Sequence, residues 1–311
     1  MKIVFMGTPD FSVGTLKALF DAGHEIAAVV TQPDKPKGRG KAMQPTPVKE
    51  AALSLGLPVL QPQKVKDEAF LNQMDALHPD VIVVVAFGQI IPGRLLEIPR
   101  FGCINVHASL LPDYRGAAPI QWAVIDGRSE SGVTIMRMDE GLDTGDMIAK
   151  VVVPLSEDET GGSLFEKLSR AGADLLVETL PRLEDGTAVF EKQPEESPTP
   201  YASMITKKMG DIRWNEPAVS LERLIRGLNP WPSAYTQLKG KNLKIWKACA
   251  VKENGGKIPG QVVKTSAKGI FVQTGEDVLC IEELQLEGKK RMAADAFLRG
   301  CRLDEDTILG S

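Results

Sequence analysis

Histidine is scarce in this chain, three among 311 residues, so chemistry that depends on an imidazole has only His24, His78 and His107 to draw on. Cysteine is scarce too. Cys103, Cys249, Cys280 and Cys301 stand far apart, without the close pair that holds zinc or exchanges disulfides, and read as free thiols in a reducing cytosol. The longest apolar run, "VIVVVAFG" from Val81, is far too short to cross a bilayer. The opening "MKIVFMGTPDF" enters a strand-like run at once, with neither the apolar stretch nor the cleavage site of an export signal. A cytoplasmic protein with no membrane partner is expected. "MGTPDFS" is neither G-x-G-x-x-G nor a Walker loop, which implies no nucleotide cofactor, and no spacing of ligand residues suggests a metal site. Internal repeats and low-complexity tracts are lacking as well.

What is present is enough apolar sequence, 43%, for a sizeable core and two domains. Charge divides unevenly between them. Residues 1–203 carry 19 Lys+Arg against 28 Asp+Glu, whereas residues 204–311 carry 18 against 13, so an acidic part precedes a basic one suited to a polyanion. In the first part, "KIVFMG", "EIAAVVT", "PDVIVVVAFG" and "GCINVHAS" are strand-like runs separated by helical spacing in "FSVGTLKALFDAG" and "PVKEAALSLG". This alternation predicts a doubly wound α/β domain with a mainly parallel sheet, whose ligands bind beyond the carboxyl ends of the strands. "SGVTIMRM" and "DMIAKVVVPL" read as a hairpin around "DEGLDTG", followed by a long amphipathic helix. The Pro- and Ser-rich "QPEESPTPYAS" suits a linker, placed at residues 193–206 between a domain of residues 1–192 and one of residues 207–311. Short alternating segments after one helix predict a small OB-like β-barrel there.

The stretch "CINVHASLLPDYRGAAP" carries the most chemistry. Strand alternation puts Asn105 and His107 on one side at the strand's carboxyl end. A carbonyl attacked by an amine becomes a tetrahedral oxyanion that needs placed donors, while the amine must lose a proton. Asn105 offers a neutral donor, and His107 a charged one or a proton shuttle. A carboxylate partner would come from "DEGLDTGD", where Asp139, Glu140, Asp143 and Asp146 all qualify by chemistry. Ser109 lacks the G-x-S-x-G turn that exposes a hydrolase serine, and Cys103 lies within the strand.

Five stretches, "MGTPDFS", "QPDKPKGRGKAMQPTPVK", "NVHASLLPDYRGAAPIQWA", "GLDTGDMI" and "LNPWPSAYT", resemble the methionyl-tRNA formyltransferases over essentially the whole chain. The Asn, His and Asp with "SLLP" are shared by the wider 10-formyltetrahydrofolate-dependent formyltransferase family, whose members also act on small amines or water. The basic loop and the "NPWPSAYT" region are more specific to the tRNA enzymes. The resemblance implies a Rossmann-like formyltransferase domain and transfer of a formyl group from 10-formyltetrahydrofolate to the α-amine of methionyl-initiator tRNA, without a covalent enzyme intermediate and without a metal. It selects Asp143 among the four acids, to act with Asn105 and His107. It assigns Ser109, Leu110, Leu111 and Pro112 to the folate-binding loop, and Val85, Ala86, Phe87, Gly88, Gln89 and Ile90 to the lining of the pterin pocket. Lys35, Lys37, Arg39 and Lys41, in a Gly- and Pro-rich segment unable to form a stable helix, are expected to meet the tRNA acceptor end. Lys239, Lys241, Lys244 and Lys247, flanking Trp246, are expected to track its backbone. The protein is expected to act as a monomer.

Overall fold

In the computed structural model, which describes residues 1–37 and 42–310, the chain divides into two compact units. The first comprises Met1–Pro119, Glu130–Pro154 and Phe165–Ala202; the second comprises Ile120–Ser129, Leu155–Leu164 and the chain from Ser203 onward. The first unit is therefore not one continuous stretch, and it ends after Ala202 rather than after residue 192.

The first unit opens with β1 (Lys2–Gly7), α1 (Asp10–Asp21), β2 (Glu25–Val30), β3 (Lys35–Lys37), β4 (Ala42–Gln44), α2 (Pro47–Ser54), β5 (Val59–Leu60), α3 (Glu68–Leu77) and β6 (Val81–Val85). It continues through α4 (Gly93–Glu97), β7 (Cys103–His107), α5 (Pro119–Ile125), β8 (Glu130–Arg137), β9 (Met147–Pro154) and α6 (Gly161–Glu184), with α5 and the start of α6 counted in the second unit. Seven strands form one sheet in the order β5-β2-β1-β6-β7-β8-β9, parallel from β5 to β7, with β8 and β9 antiparallel. Every residue of β6 is buried, as is Ile3–Met6 of β1, which is why these central strands read as unbroken apolar runs rather than alternating ones. Each such Val or Ile contributes roughly 1.5–3 kcal/mol on burial. α2 starts where it does because Pro47 presets the first helical turn and the Thr46 hydroxyl accepts the Lys49 N–H at 3.1 Å.

Chain order reverses between β1 and β6: the connections from β1 run outward to β2 and β5, then return to β6 and β7. The crevice at the carboxyl ends of these strands is the ligand position of a doubly wound sheet. Within the segment expected to be an irregular basic loop, β3 and β4 pair antiparallel, with Lys35 opposite Gln44.

The second unit holds a short 3₁₀ turn at Lys207–Gly210, then α7 (Ala218–Gly227), β10 (Ala234–Leu238), β11 (Lys241–Val251), β12 (Val262–Ser266), β13 (Gly269–Gln273), β14 (Val278–Leu286), β15 (Met292–Ala293) and α8 (Ala294–Gly300). Its sheet is antiparallel in the order β10-β11-β14-β13-β12, with β15 beside β14. Ala218, Leu221 and Ile225 of α7 recur at helical spacing and pack on Leu243, Ile245, Ile281 and Leu284. Among the described residues β10 and β12 do not pair, so the strand path is open between them, as suits the partly open OB-like barrel expected. Its edges are covered by short bridges, Asp211 against Tyr235 and Ile308 against Gln261.

No helix among the described residues is long and apolar enough to cross a membrane, and no group of three His, Cys, Asp or Glu is placed to hold a metal ion.

Candidate active site

β7 lies between β6 and β8, with Asn105 opposite Val84 and Met136, and His107 opposite Thr134. Alternation along the strand buries Val106 on one face and leaves Asn105 and His107 together on the other. His107 is buried, and its Nε2 meets the Tyr114 carbonyl at 3.1 Å. A carbonyl only accepts, so Nε2 carries the hydrogen in this bond, and Nδ1 is the nitrogen left to exchange a proton. Nδ1 faces Asp143 Oδ1 at 3.7 Å, and Asn105 Nδ2 approaches the same oxygen at 3.5 Å. The other carboxylate oxygen accepts the Gly116 N–H at 2.9 Å. A neutral donor, a ring nitrogen and an acid thus converge from two elements 38 residues apart, with the carboxylate one-fifth exposed. Glycine is required at residue 116. At its φ of 127° a Cβ would fall 2.7 Å from the Ala202 carbonyl oxygen and 2.8 Å from the Tyr201 ring.

The competing acids are occupied elsewhere or turned away. Asp139 accepts from Gly141 N–H at 3.0 Å and the Thr144 hydroxyl at 2.8 Å inside its own turn, Asp146 pairs with Arg137 at 3.6 Å, and Glu140 is exposed. The rival nucleophiles fare no better. Burial pushes the Cys103 thiol up to about 12, which withholds the thiolate, and the buried Ser109 hydroxyl donates to the Asp113 carbonyl at 2.6 Å. His24 sits in the α1–β2 turn and His78 caps α3 in the left-handed region at φ 46°.

Loop Ser109–Pro112 is pinned from β8: the Thr134 hydroxyl donates to the Ser109 carbonyl at 2.7 Å and accepts the Leu111 N–H at 3.0 Å. Leu111 is buried against Met136 and Met147, so side-chain contact with a ligand falls to half-buried Leu110 and to Pro112. Along Val85–Ile90, Phe87 belongs to the core with Val84 and Ile91. Its carbonyl accepts the Thr8 hydroxyl at 2.8 Å and the Gln32 amide at 3.3 Å, while the Val85 carbonyl accepts Ser12 at 2.6 Å. Ala86 and Gly88, both at positive φ, and Ile90, four-fifths exposed, present the outward surface instead. Gln89 reaches the Val65 N–H at 3.1 Å.

Sequence reasoning missed a third layer. Residues 193–202, read as linker, underlie the site because their side chains supply the bonds that their prolines cannot. The Tyr114 N–H donates to Thr199 at 2.6 Å, Ser197 donates to the Pro112 carbonyl at 2.8 Å, and Ala202 exchanges backbone bonds of 2.8 Å with Arg115 and Ala117. Buried Arg115 donates to the Gln193 side-chain oxygen at 3.1 and 3.0 Å and to the carbonyls of Pro194 at 2.7 Å and Glu195 at 3.0 Å. The Arg-Gly pair within "DYRGAAP" was the one available hint. Gln193, in a run of polar residues and prolines, carried none.

Of the basic residues singled out, Arg39 and Lys41 lie outside the described residues, Lys35 is exposed, and Lys37 is described only as backbone in β3. In the second unit Lys239 and Lys241 are exposed at the β10–β11 turn. Lys247 is engaged by Glu282 at 2.8 Å, which holds its ammonium above its usual range mainly through that hydrogen bond. Trp246 is half-buried on the sheet surface rather than in the core, with Lys244 5.5 Å and Arg291 5.0 Å from its ring centre.

Residues 1–180 match the family described as formyl transferase, and residues 204–302 match its C-terminal domain. The chain is 59% identical over 308 residues to the methionyl-tRNA formyltransferase of Agathobacter rectalis, covering 99% of both chains. It is 55% identical to that of Lachnospira eligens, covering 100% of both. Among solved structures, an N-formyltransferase from Helicobacter canadensis in complex with folinic acid and dTDP-3-aminofucose shares the fold with a TM-score of 0.65 at 18% identity, over 90% of this chain and 99% of that one. HypX from Aquifex aeolicus, in complex with tetrahydrofolic acid, aligns with a TM-score of 0.62 at 18% identity over 96% of this chain and 47% of that one.

Proposed function

The chain belongs to the formyl transferase family and, within it, to the methionyl-tRNA formyltransferases; from that premise we propose that it moves the formyl group of 10-formyltetrahydrofolate to the α-amine of methionyl-initiator tRNA. The product serves translation initiation, which belongs to the cytoplasm. The observation that carries this reading is the convergence of Asn105 and His107 on one oxygen of Asp143 at the carboxyl end of β7.

The donor supplies an activated formyl carbon. Ala86, Gly88 and Ile90, with Leu110 and Pro112, would hold its ring system, the outward residues of two loops whose other members are anchored in the core. This division suits a flat heteroaromatic group, which needs one apolar wall and backbone polar groups at its rim. Asn105 Nδ2 donates to the carbonyl oxygen under attack as negative charge builds on it. His107, its Nε2 hydrogen committed to Tyr114, works through Nδ1, either donating to that oxygen or carrying a proton. Asp143 orients the ring through Nδ1 and takes up the amine's proton, directly or through water; the oxyanion then re-forms the carbonyl, the bond from the formyl carbon to the folate nitrogen breaks, and that nitrogen leaves carrying a proton returned from the site. Esterification to tRNA removes the carboxylate charge of methionine and makes the amine less basic, so more of it is free to attack.

The first unit carries this chemistry, and both units meet the tRNA. Lys35, Lys37, Arg39 and Lys41 meet phosphates and bases at the acceptor end, while Lys239, Lys241 and Lys244 track the backbone. Lys247 contributes least to that path, since Glu282 already neutralises it.

The test is to offer donor labelled in its formyl group with charged initiator tRNA, charged elongator methionyl-tRNA, free methionine, an amino sugar nucleotide, or no acceptor. Label should pass to methionine on initiator tRNA, and donor consumption should depend on it. Equal consumption without acceptor would make the protein a hydrolase; label on the amino sugar would make it a small-amine enzyme.

A further inference from the structure

Asp143 sits at a φ of 56°, in the left-handed region that Asp enters more readily than most side-chain-bearing residues, and its neighbours Gly141 and Leu142 are exposed. What meets it from below is a single buried amide. Gln193 Nε2 donates to the Asp143 carbonyl at 2.9 Å and to the Gly145 carbonyl at 2.7 Å, while its oxygen accepts both Nε and a terminal nitrogen of Arg115. All four bonding positions of the amide are used, so it can neither rotate nor flip without opposing an N–H to a guanidinium. Paired backbone bonds of 2.8 Å between Met147 and Glu191 hold the base of this arrangement two residues away.

We propose that Gln193 and Arg115 are positioning residues for the transfer reaction: together they clamp the peptide units at Asp143 and Gly145 and thereby set the carboxylate against His107 and Asn105. The proposal rests on the reading of Asp143 as the acid of the site. The clamp's bonds end on the acid's own carbonyl and on that of the second residue after it, not on the ladder of a strand, which is why its effect should be read in turnover. The clamp touches no surface assigned to the folate, so donor binding should be indifferent to it.

Gln193→Glu separates positioning from support. It keeps an oxygen for Arg115, with added charge, but turns a second oxygen toward two carbonyls that need a donor. The loop must then shift, and a displacement near 1 Å is enough to lower kcat by about 10²-fold. The expected result for the full-length variant is that loss in kcat with an unchanged KM for the folate donor and a melting temperature lowered less than in Gln193→Ala, because the pair with Arg115 is kept. Gln193→Ala should lose activity similarly but with a larger drop in melting, because Arg115 then keeps only the Pro194 and Glu195 carbonyls and its buried Nε loses its acceptor. Combined with Asp143→Asn, Gln193→Glu should add almost nothing, since a residue acting only through the carboxylate has no work left when it is gone. Wild-type kcat in Gln193→Glu, or losses that multiply in the double variant, would overturn the proposal. Near-normal activity of Asp143→Asn alone would instead overturn the underlying assignment of the acid, which keeps the two failures apart.

Discussion

Around Asp143 the polar groups are largely buried and bonded to defined partners, over spans of 7 to 85 residues of chain, whereas around Trp246 the charges stand at the surface and pair with partly exposed charges or with the indole. The same residue types carry different weight in the two places. Arg115 gives its guanidinium to one amide and two carbonyls away from water, so each bond is specific and costly to lose. Arg291 pairs with Glu283 and stacks on Trp246 in solvent, where screening leaves such interactions weak singly and useful only in sum. The first arrangement suits the placement of atoms for chemistry; the second suits a partner whose phosphates arrive as a field of charge.

Substitutions can break this contrast in a graded way. The largest effect is expected from His107→Ala, which should lower turnover by roughly 10²–10⁴-fold with far-UV dichroism unchanged; near-normal turnover of the purified variant would remove the ring from the reaction. Next comes joint replacement of Lys239, Lys241 and Lys244 by Gln. The slope of log affinity for charged tRNA against log salt should become shallower by about 0.7–0.9 for each phosphate that is no longer neutralised, with kcat at saturating tRNA retained. An unaltered slope would detach these residues from the RNA. Smallest is Glu282→Gln, which frees Lys247 from an exposed ion pair: the melting temperature should not move, and tRNA binding should tighten only slightly. A large drop in melting would mean that the surface pair matters structurally and that the two regions differ less than their exposure implies.

Much of the first unit was legible because its signals are local. Apolar runs bounded by turns marked β1, β2, β6 and β7, and the two-residue spacing of Asn105 and His107 put both on one side of a strand end. The strand order of the second unit, β10-β11-β14-β13-β12, was not legible, because alternation says that strands form without saying which edges meet. The stretch 193–206 misled for a different reason. Proline and serine argue correctly against helix or strand, yet an irregular segment can still pack, and Ser197, Thr199 and Gln193 bond the site through side chains.

Among Asp139, Glu140, Asp143 and Asp146, chemistry alone could not choose. The resemblance pointed to Asp143, and of the four carboxylates it is the one that meets the Gly116 N–H and faces His107.

By itself the sequence determined most of the main strands and helices, and that an amide, an imidazole and several acids were available at the sheet's edge. These are consequences of patterns repeating every two or every three to four residues. Only the tertiary structure decided which acid meets the imidazole, and that a glutamine 50 residues further along holds that acid from beneath. A bond between a side chain and a distant carbonyl leaves no period in the sequence, so it appears only once the chain has folded back on itself.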